Sequence, residues 1–399
     1  MLHMEERYHD LNFRMEKEND LYIVRVYDDN DRQVGRCKGN VLSVTLNGGI
    51  FKAMALGALM TEPEYRRLGL ARHCFRMLGR VMEAENCAIS YLHPFSFNYY
   101  RTMGYERIGD HRIIEIPIAG LEFLPRYYEL ERVLPEHGTK DLERVYNAFC
   151  NARNAGFLRH GTEAVLEAKS LCAGYTVPGS PYTYCFKGVM HFLSRDEQGD
   201  PDGYLTIRRE MDQVHHHLFG KIHVDEICYT SPAALKKLLG FIRMYDGEVD
   251  TVIFHNVGMA PEVELTLRDY KYMKLQLVPD LCARFHNVKA ILEGMVYPQA
   301  KGKFTFRLTD CEKSPFSKEN TEGTFSVSYE NGKAAVTELP RDASCDLELT
   351  MPAFAQLVHG FQSYGKQSAL YTEGVVLHND CDDFFRAFSN RPSGSYDLF

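Results

Sequence analysis

The chain has 399 residues, 45% of them hydrophobic and 25% charged, and a formal net charge of -8. That length holds two or three domains with ample apolar surface to bury, and the charge argues against a nucleic-acid partner. Eleven cysteines, scattered without a CxxC pair, indicate neither a disulfide framework nor a zinc site and read as reduced thiols in a cytoplasmic protein. The start, MLHMEERYHDLNFRMEKEND, lacks the apolar core of a signal peptide, and no stretch is apolar enough to span a membrane, so no membrane partner is expected.

Leu21 to Tyr27 is β-branched and aromatic and predicts a strand, closed by the polar turn DDNDRQ. Gln33 to Leu46 continues as a strand to Asn47-Gly48-Gly49, and Ile50 to Met60 is apolar enough to be buried on both faces. From Glu64 the period changes: Leu68, Ala71, Phe75, Leu78 and Met82 mark an amphipathic helix to about Ala84. A strand at Ala88 to Leu92, a short helix from Ser96 to Met103 capped by Gly104, and extended chain from Tyr105 to Ile118 complete a unit around a mixed sheet. Asp141 to Asn151 predicts a helix, and Tyr182 to Leu193, Gly203 to Arg209 and Phe219 to Tyr229 predict strands. Ser231-Pro232 starts another helix, and Val249 to His255 is a buried strand, so strand, helix, strand recurs as in a tandem repeat. A helix through Leu281 to Leu292 then precedes strands at Lys303 to Leu308 and Thr324 to Tyr329, a hairpin turn at Asn331-Gly332 into Ala334-Val336, a strand at Asp346 to Thr350 and a helix from Pro352.

One turn carries chemistry. Arg66-Arg67-Leu68-Gly69-Leu70-Ala71 joins a buried strand to a helix start, where unpaired N–H groups face one way and Gly69 lets a phosphate approach the backbone. Arg66, Arg67 and Arg72 add positive charge. Further on stands Pro94-Phe95-Ser96-Phe97-Asn98-Tyr99-Tyr100-Arg101-Thr102-Met103-Gly104-Tyr105.

At these residues the chain resembles the GNAT acetyltransferases, whose pyrophosphate signature Q/R-x-x-G-x-G/A stands here as Arg66 to Ala71. The whole layout is similar to the enhanced-intracellular-survival (Eis) family. That resemblance implies a mixed α/β and α+β architecture: a GNAT domain over 1–125, a degenerate second one over 126–272 and a sterol-carrier-protein-like domain over 273–399. It implies acetyl-CoA as cosubstrate, held by Leu59, Met60, Thr61, Arg66, Arg67, Leu68, Gly69, Leu70, Ala71, Arg72, Phe95 and Ser96. Tyr100 falls on the general acid and the α-carboxylate of Phe399 on the base. No metal is expected. The acceptor is a small-molecule or peptide amine, and the protein a homo-oligomer, trimer or hexamer. A rival reading makes the chain a non-catalytic CoA- or lipid-binding protein.

Two other groups invite a role. Neighbouring side chains alternate in an extended run, so His215-His216-His217 with His223 read as a solvated loop. Cys74 and Cys87 read as structural thiols. The second repeat offers Thr230-Ser231-Pro232-Ala233-Ala234 where a phosphate turn would stand, so no CoA is expected there. Only twenty residues precede Leu21, where GNAT domains carry a strand and two helices.

Overall fold

The computed structural model describes residues 4–134, 138–161, 189–211, 219–361, 366–388 and 391–397. The chain forms two compact units, one mainly from Met1–Gly109 with Asp280–Ser393, the other from Asp110–Pro279 with Gly394–Tyr396.

The first unit opens with strands β1 (Met4–Tyr8) and β2 (Leu11–Glu18), joined through His9 and Asp10 in left-handed conformations. Two strands thus fill the short stretch ahead of Leu21, where GNAT domains usually carry a strand and two helices. Alternation in β2 buries Leu11, Phe13 and Met15 beneath a charged outer row. β3 (Leu21–Tyr27), β4 (Gln33–Leu46) and β5 (Gly49–Thr61) follow as an antiparallel meander. Helix α1 (Leu70–Ala84) crosses to β6 (Ile89–Leu92), which lies parallel to β5. The buried row of α1, Leu70, Cys74, Met77, Leu78 and Val81, packs with Phe13, Val24 and Cys37. At ~1.5–3 kcal/mol for each large apolar side chain buried, this face anchors the helix. Residues Glu64 to Leu68 are not part of it: Pro63–Tyr65 is a 3-10 turn, the α-helix begins at Leu70, and Leu68 is 44% exposed. The short helix α2 (Phe97–Arg101) leads to β7 (Glu106–Pro117).

In the second unit β8 (Glu131–Val133), α3 (Thr139–Asn151), β9 (Gly156–Phe157), β10 (Val189–Arg195), β11 (Pro201–Met211), β12 (Phe219–Tyr229), α4 (Pro232–Ile242), β13 (Thr251–Phe254) and α5 (Glu262–Thr266) follow in order. β12 and β13 are parallel across α4, as β5 and β6 are across α1, so strand, helix, strand does recur. Residues 182–188 of the predicted strand from Tyr182 lie outside the described residues.

The chain returns to the first unit through β14 (Lys274–Phe285), α6 (Val288–Gly294), β15 (Gly302–Thr309), β16 (Gly323–Glu330), β17 (Lys333–Leu339), β18 (Leu347–Thr350), α7 (Met351–Val358), β19 (Val375–Leu377) and α8 (Asp382–Ala387). The predicted helix through Leu281 to Leu292 is corrected. Leu281 to Phe285 is strand, paired antiparallel to β6, and α6 starts only at Val288 with Asn287 as its cap. All five residues, Arg284 among them, are buried, so the segment shows no alternation of buried and exposed positions to separate strand from helix. β17-β16-β15-β18-β19 form a five-stranded sheet, and the predicted β16–β17 hairpin turns through Asn331 and Gly332, both left-handed.

Candidate active site

A defect in strand pairing makes the site. Between Arg36 and Lys38 of β4 the partner residue jumps from Met60 to Gly57 of β5, and Ala58 adopts φ 50°. This bulge takes Ala58 and Leu59 out of the β4 ladder and aims their backbone elsewhere. On the other edge, the β5–β6 register runs from Ala53↔Ile89 to Leu56↔Leu92 and ends there. Past that point the strands part around a cavity of about 210 Å³, lined by Gly57, Ala58 and Leu59 on one side and Leu92, His93, Phe95 and Tyr100 on the other, with Cys37, Leu56 and Phe75. Leu59, Met60 and Thr61, half-buried at the end of β5, run along the open edge.

Tyr100 sits on α2, which begins where the Ser96 hydroxyl caps the Tyr99 amide at 3.4 Å. Its ring is 3% exposed, wedged between Phe75 at 6.2 Å, Phe95 at 5.2 Å and Tyr105 at 6.2 Å between centroids. Burial pushes its phenol far up, so the hydroxyl stays protonated and can donate. Phe95 is 71% exposed at the rim and stacks on Tyr99.

The second feature lies beyond β5. Arg67 has φ 66° and Gly69 φ 84°, and Gly69 precedes α1 with no side-chain cap. The first helical bond runs from the His73 amide to the Gly69 carbonyl at 3.0 Å, so the amides of Leu70, Ala71 and Arg72 are the open first turn. Left-handed residues before an uncapped helix make a nest for an anion. Arg66 and Arg67 are exposed beside it. The Arg72 guanidinium is engaged with the Lys313 carbonyl, and Leu70 is buried in the core, so these two contribute backbone to the nest.

Residues 2–108 match the model of an acetyltransferase (GNAT) domain, and residues 184–284 match that of a second acetyltransferase (GNAT) domain. The chain carries two GNAT acetyltransferase domains. It is an acetyltransferase, and GNAT domains use acetyl-CoA and act on amine acceptors. Its fold is similar to that of a GCN5-related N-acetyltransferase from Anabaena variabilis, with a TM-score of 0.77 at 18% identity over 94% of this chain and 89% of that one. It is similar also to a probable N-acyltransferase of unknown function from Enterococcus faecalis, with a TM-score of 0.74 at 18% identity over 95% and 90% of the two chains. Eis1 from Mycobacterium abscessus gives a TM-score of 0.73 at 13% identity over 94% and 91%. At these identities the likeness is one of fold. No curated protein matches the sequence.

The second GNAT domain lacks the nest at the corresponding helix start. Ser231 precedes α4 with its hydroxyl accepting the Ala234 amide at 3.1 Å, which satisfies a donor that Gly69 leaves open. His223 packs against His255 and bonds to Glu210 at 2.7 Å, while His215 to His217 lie outside the described residues. Burial pushes the thiols of Cys74 and Cys87 up to about 12, so both are neutral at physiological pH. Cys345, Glu348 and His378 bring three donor atoms within 4.8 Å, but Glu348 already pairs with Arg307 at 2.9 Å. Among the described residues no helix is long and apolar enough to cross a membrane.

Phe399 lies outside the described residues. The tail before it is anchored in the second unit, where the Asn256 amide donates to the Ser395 carbonyl and the buried Tyr396 hydroxyl donates to the Ile227 carbonyl at 3.4 Å. The site residue missed by sequence reading is His93, whose Nδ1 lies 2.7 Å from Asp280. Its signal was its place directly after Leu92, at the end of the strand that follows α1.

Proposed function

We propose that the first GNAT domain transfers the acetyl group of acetyl-CoA to a primary amine, aminoglycoside-, polyamine- or lysine-like, by direct attack in a ternary complex. The observation that carries this reading is one cavity bounded by the Ala58 bulge on one wall and Tyr100 on the other, a few residues upstream of the amide nest at Arg67–Ala71.

The nest and the exposed Arg66 and Arg67 hold the pyrophosphate, and the open edge at Leu59, Met60 and Thr61 pairs with the pantetheine arm. Phe95 and Ser96 close the opposite rim. The thioester carbonyl then meets backbone N–H groups released by the bulge, placed to stabilise the oxyanion as the tetrahedral intermediate forms. Tyr100 donates its proton to the departing thiolate, for which its raised pKa keeps it loaded. The resemblance assigns the amine's proton to the carboxylate of Phe399. It also assigns the chain to the Eis family, as a cytoplasmic homo-oligomer, trimer or hexamer, with domains over 1–125, 126–272 and 273–399, the last sterol-carrier-like. The fold shared with Eis1 supports that assignment.

Incubating the protein with acetyl-CoA, a thiol reagent and a panel of kanamycin, spermidine and lysine methyl ester tests the reading. Release of CoA dependent on one of these amines is expected. No release with any of them, together with no calorimetric affinity for acetyl-CoA, would refute it.

A further inference from the structure

β4 meets the bulge with an unbroken alternation of half-buried and buried residues, Arg36, Cys37, Lys38 and Gly39, so the extra residue belongs to β5 and the β4 side chains keep their faces. Cys37 lines the cavity together with Phe75 of α1. Arg36 and Lys38 therefore stand on the opposite face of the sheet. Their partners, Met60 and Gly57, bracket the two bulged residues Ala58 and Leu59, so two cations flank the bulge from its outer side.

Arg36 also ends a row of like charge. The register sets Arg14 of β2 opposite Arg25 of β3, and Arg25 opposite Arg36, an arrangement that destabilises a sheet unless each charge is balanced. Arg14 is balanced by Asp31 at 2.7 Å and lies over the Tyr27 ring, and Arg25 is balanced by Glu16 at 3.2 Å with Gln33 at 3.0 Å. Arg36 is not balanced. Among the described residues no acid stands within ion-pair distance of it or of Lys38, and its Nε is enclosed without a hydrogen-bond partner. The uncompensated charge of the row thus falls on the strand beside the bulge, where a half-buried guanidinium is ready for an anion that arrives from outside the chain.

The direction of approach agrees. α1 packs on the Cys37 face, and Phe75 and Tyr100 fill that side of the cavity, so a cofactor whose pyrophosphate sits at the start of α1 comes from there. In a ternary complex the amine needs another approach, and the opposite face is that of Arg36 and Lys38. We infer that the acceptor is an amine that also carries a carboxylate, and that Arg36 grips this carboxylate with its fork of N–H donors while Lys38 adds a second positive charge. The inference rests on the acetyl-transfer reading and narrows its acceptor to the lysine-like class with a free acid. Polycations such as spermidine and kanamycin are disfavoured, because two uncompensated cations repel them.

The test measures kcat/KM with acetyl-CoA for glycine, β-alanine, glutamine and lysine, each beside its methyl ester, and for cadaverine, spermidine and kanamycin. Wild type and Arg36→Gln are compared, with acetyl-CoA affinity read by calorimetry in both. A hydrogen-bonded charge is worth roughly 10-fold or more, so the wild type is expected to prefer its best acid over the matching ester by about that factor. Arg36→Gln is expected to bring this ratio close to one. Acid and ester share the same amine, so a merely structural loss at Arg36 lowers both and leaves the ratio where it was. Acids that turn over no better than their esters in the wild type, or a ratio unmoved in Arg36→Gln, overturn the inference while leaving acetyl transfer standing. No release of CoA with any amine, together with no affinity for acetyl-CoA, overturns the acetyl-transfer reading itself.

Discussion

Replacing Gly69 by alanine tests whether backbone amides hold the coenzyme. At φ 84° an L side chain is strained, which costs ~1–2 kcal/mol for a residue held left-handed. Space is a lesser obstacle: the added Cβ would lie 3.3 Å from the Tyr8 hydroxyl and 3.7 Å from the nearest ring carbon, the movable end of a side chain. The turn has two responses. It keeps its shape and loses ~1–2 kcal/mol of stability, or it relaxes φ and swings the amides of Leu70 and Ala71 off the phosphate. A hydrogen bond to a charged group is worth ~1.5–3 kcal/mol, so losing one weakens CoA binding by roughly 10- to 150-fold. Gly199 is the control, because it has φ 85°, would have nothing within 4 Å of an added Cβ, and belongs to a turn of the second unit. Gly199→Ala should show a similar loss in urea unfolding and none in CoA calorimetry. If Gly69→Ala loses clearly less stability than Gly199→Ala, the sign that its turn has relaxed, and still binds CoA as tightly as the wild type, the nest is not the phosphate site.

Tyr100→Phe removes the donor but keeps the ring among Phe75, Phe95 and Tyr105, so kcat should fall by about 100-fold with acetyl-CoA affinity unchanged; an unaltered kcat denies Tyr100 the acid's role. A few residues appended after Phe399 move the terminal carboxylate away. If that group is the base, acetylation drops steeply, and equal rates would leave proton removal to another residue. Buried His359 donates from Nδ1 to the Ala355 carbonyl at 2.7 Å and meets the Tyr91 hydroxyl at 3.1 Å, and burial lowers it to about 4. A depressed imidazole favours the fold fully above its unfolded value near ~6.5, and that support is lost as pH falls towards 4, by about 3 kcal/mol. The drop in unfolding free energy between pH 7 and 4 should therefore shrink by about that amount in His359→Gln; equal drops would show that His359 is not what titrates.

Where the chain punctuates its strands with polar turns, the fold was legible: Leu21–Tyr27, Gln33–Leu46 and Phe219–Tyr229 are strands with the bounds read from sequence. β2 was overlooked although Leu11, Phe13 and Met15 alternate, because the surrounding charges dominate the segment. The phosphate turn was visible through Gly69. Its other half was not, since Arg67 is left-handed without a residue type that announces it. The same holds for Ala58, an ordinary alanine whose φ of 50° opens the β5 ladder. Asp280 was hidden for another reason. It meets His93 only because β14 pairs with β6, and the paired part of β14, within Leu281 to Phe285, was read as helix.

That pairing explains what the C-terminal segment does for the first GNAT domain. Arg284 of β14, fully buried, bonds to Asp310 at 2.7 Å and to the Met103 carbonyl at 2.9 Å, just beyond the helix that bears Tyr100. Gly104 is what admits it, because a Cβ there would collide with the guanidinium. Breaking one side of such a buried pair costs ~3–5 kcal/mol, because the other charge is left without a partner. Meanwhile the interior beneath β15 and β16 is filled by aromatic rings, Phe306 stacked on Phe354 and Phe325 at 5.3 Å and Phe304 edge-on to Phe384 at 5.2 Å. A segment packed in this way around rings, which lends one buried cation to the end of the Tyr100 helix and Asp280 to His93, is a scaffold for α2 and β6. Any change that loosens Arg284 should therefore reach Tyr100, whose helix ends beside the Met103 carbonyl that Arg284 holds, before it reaches the nest at Gly69.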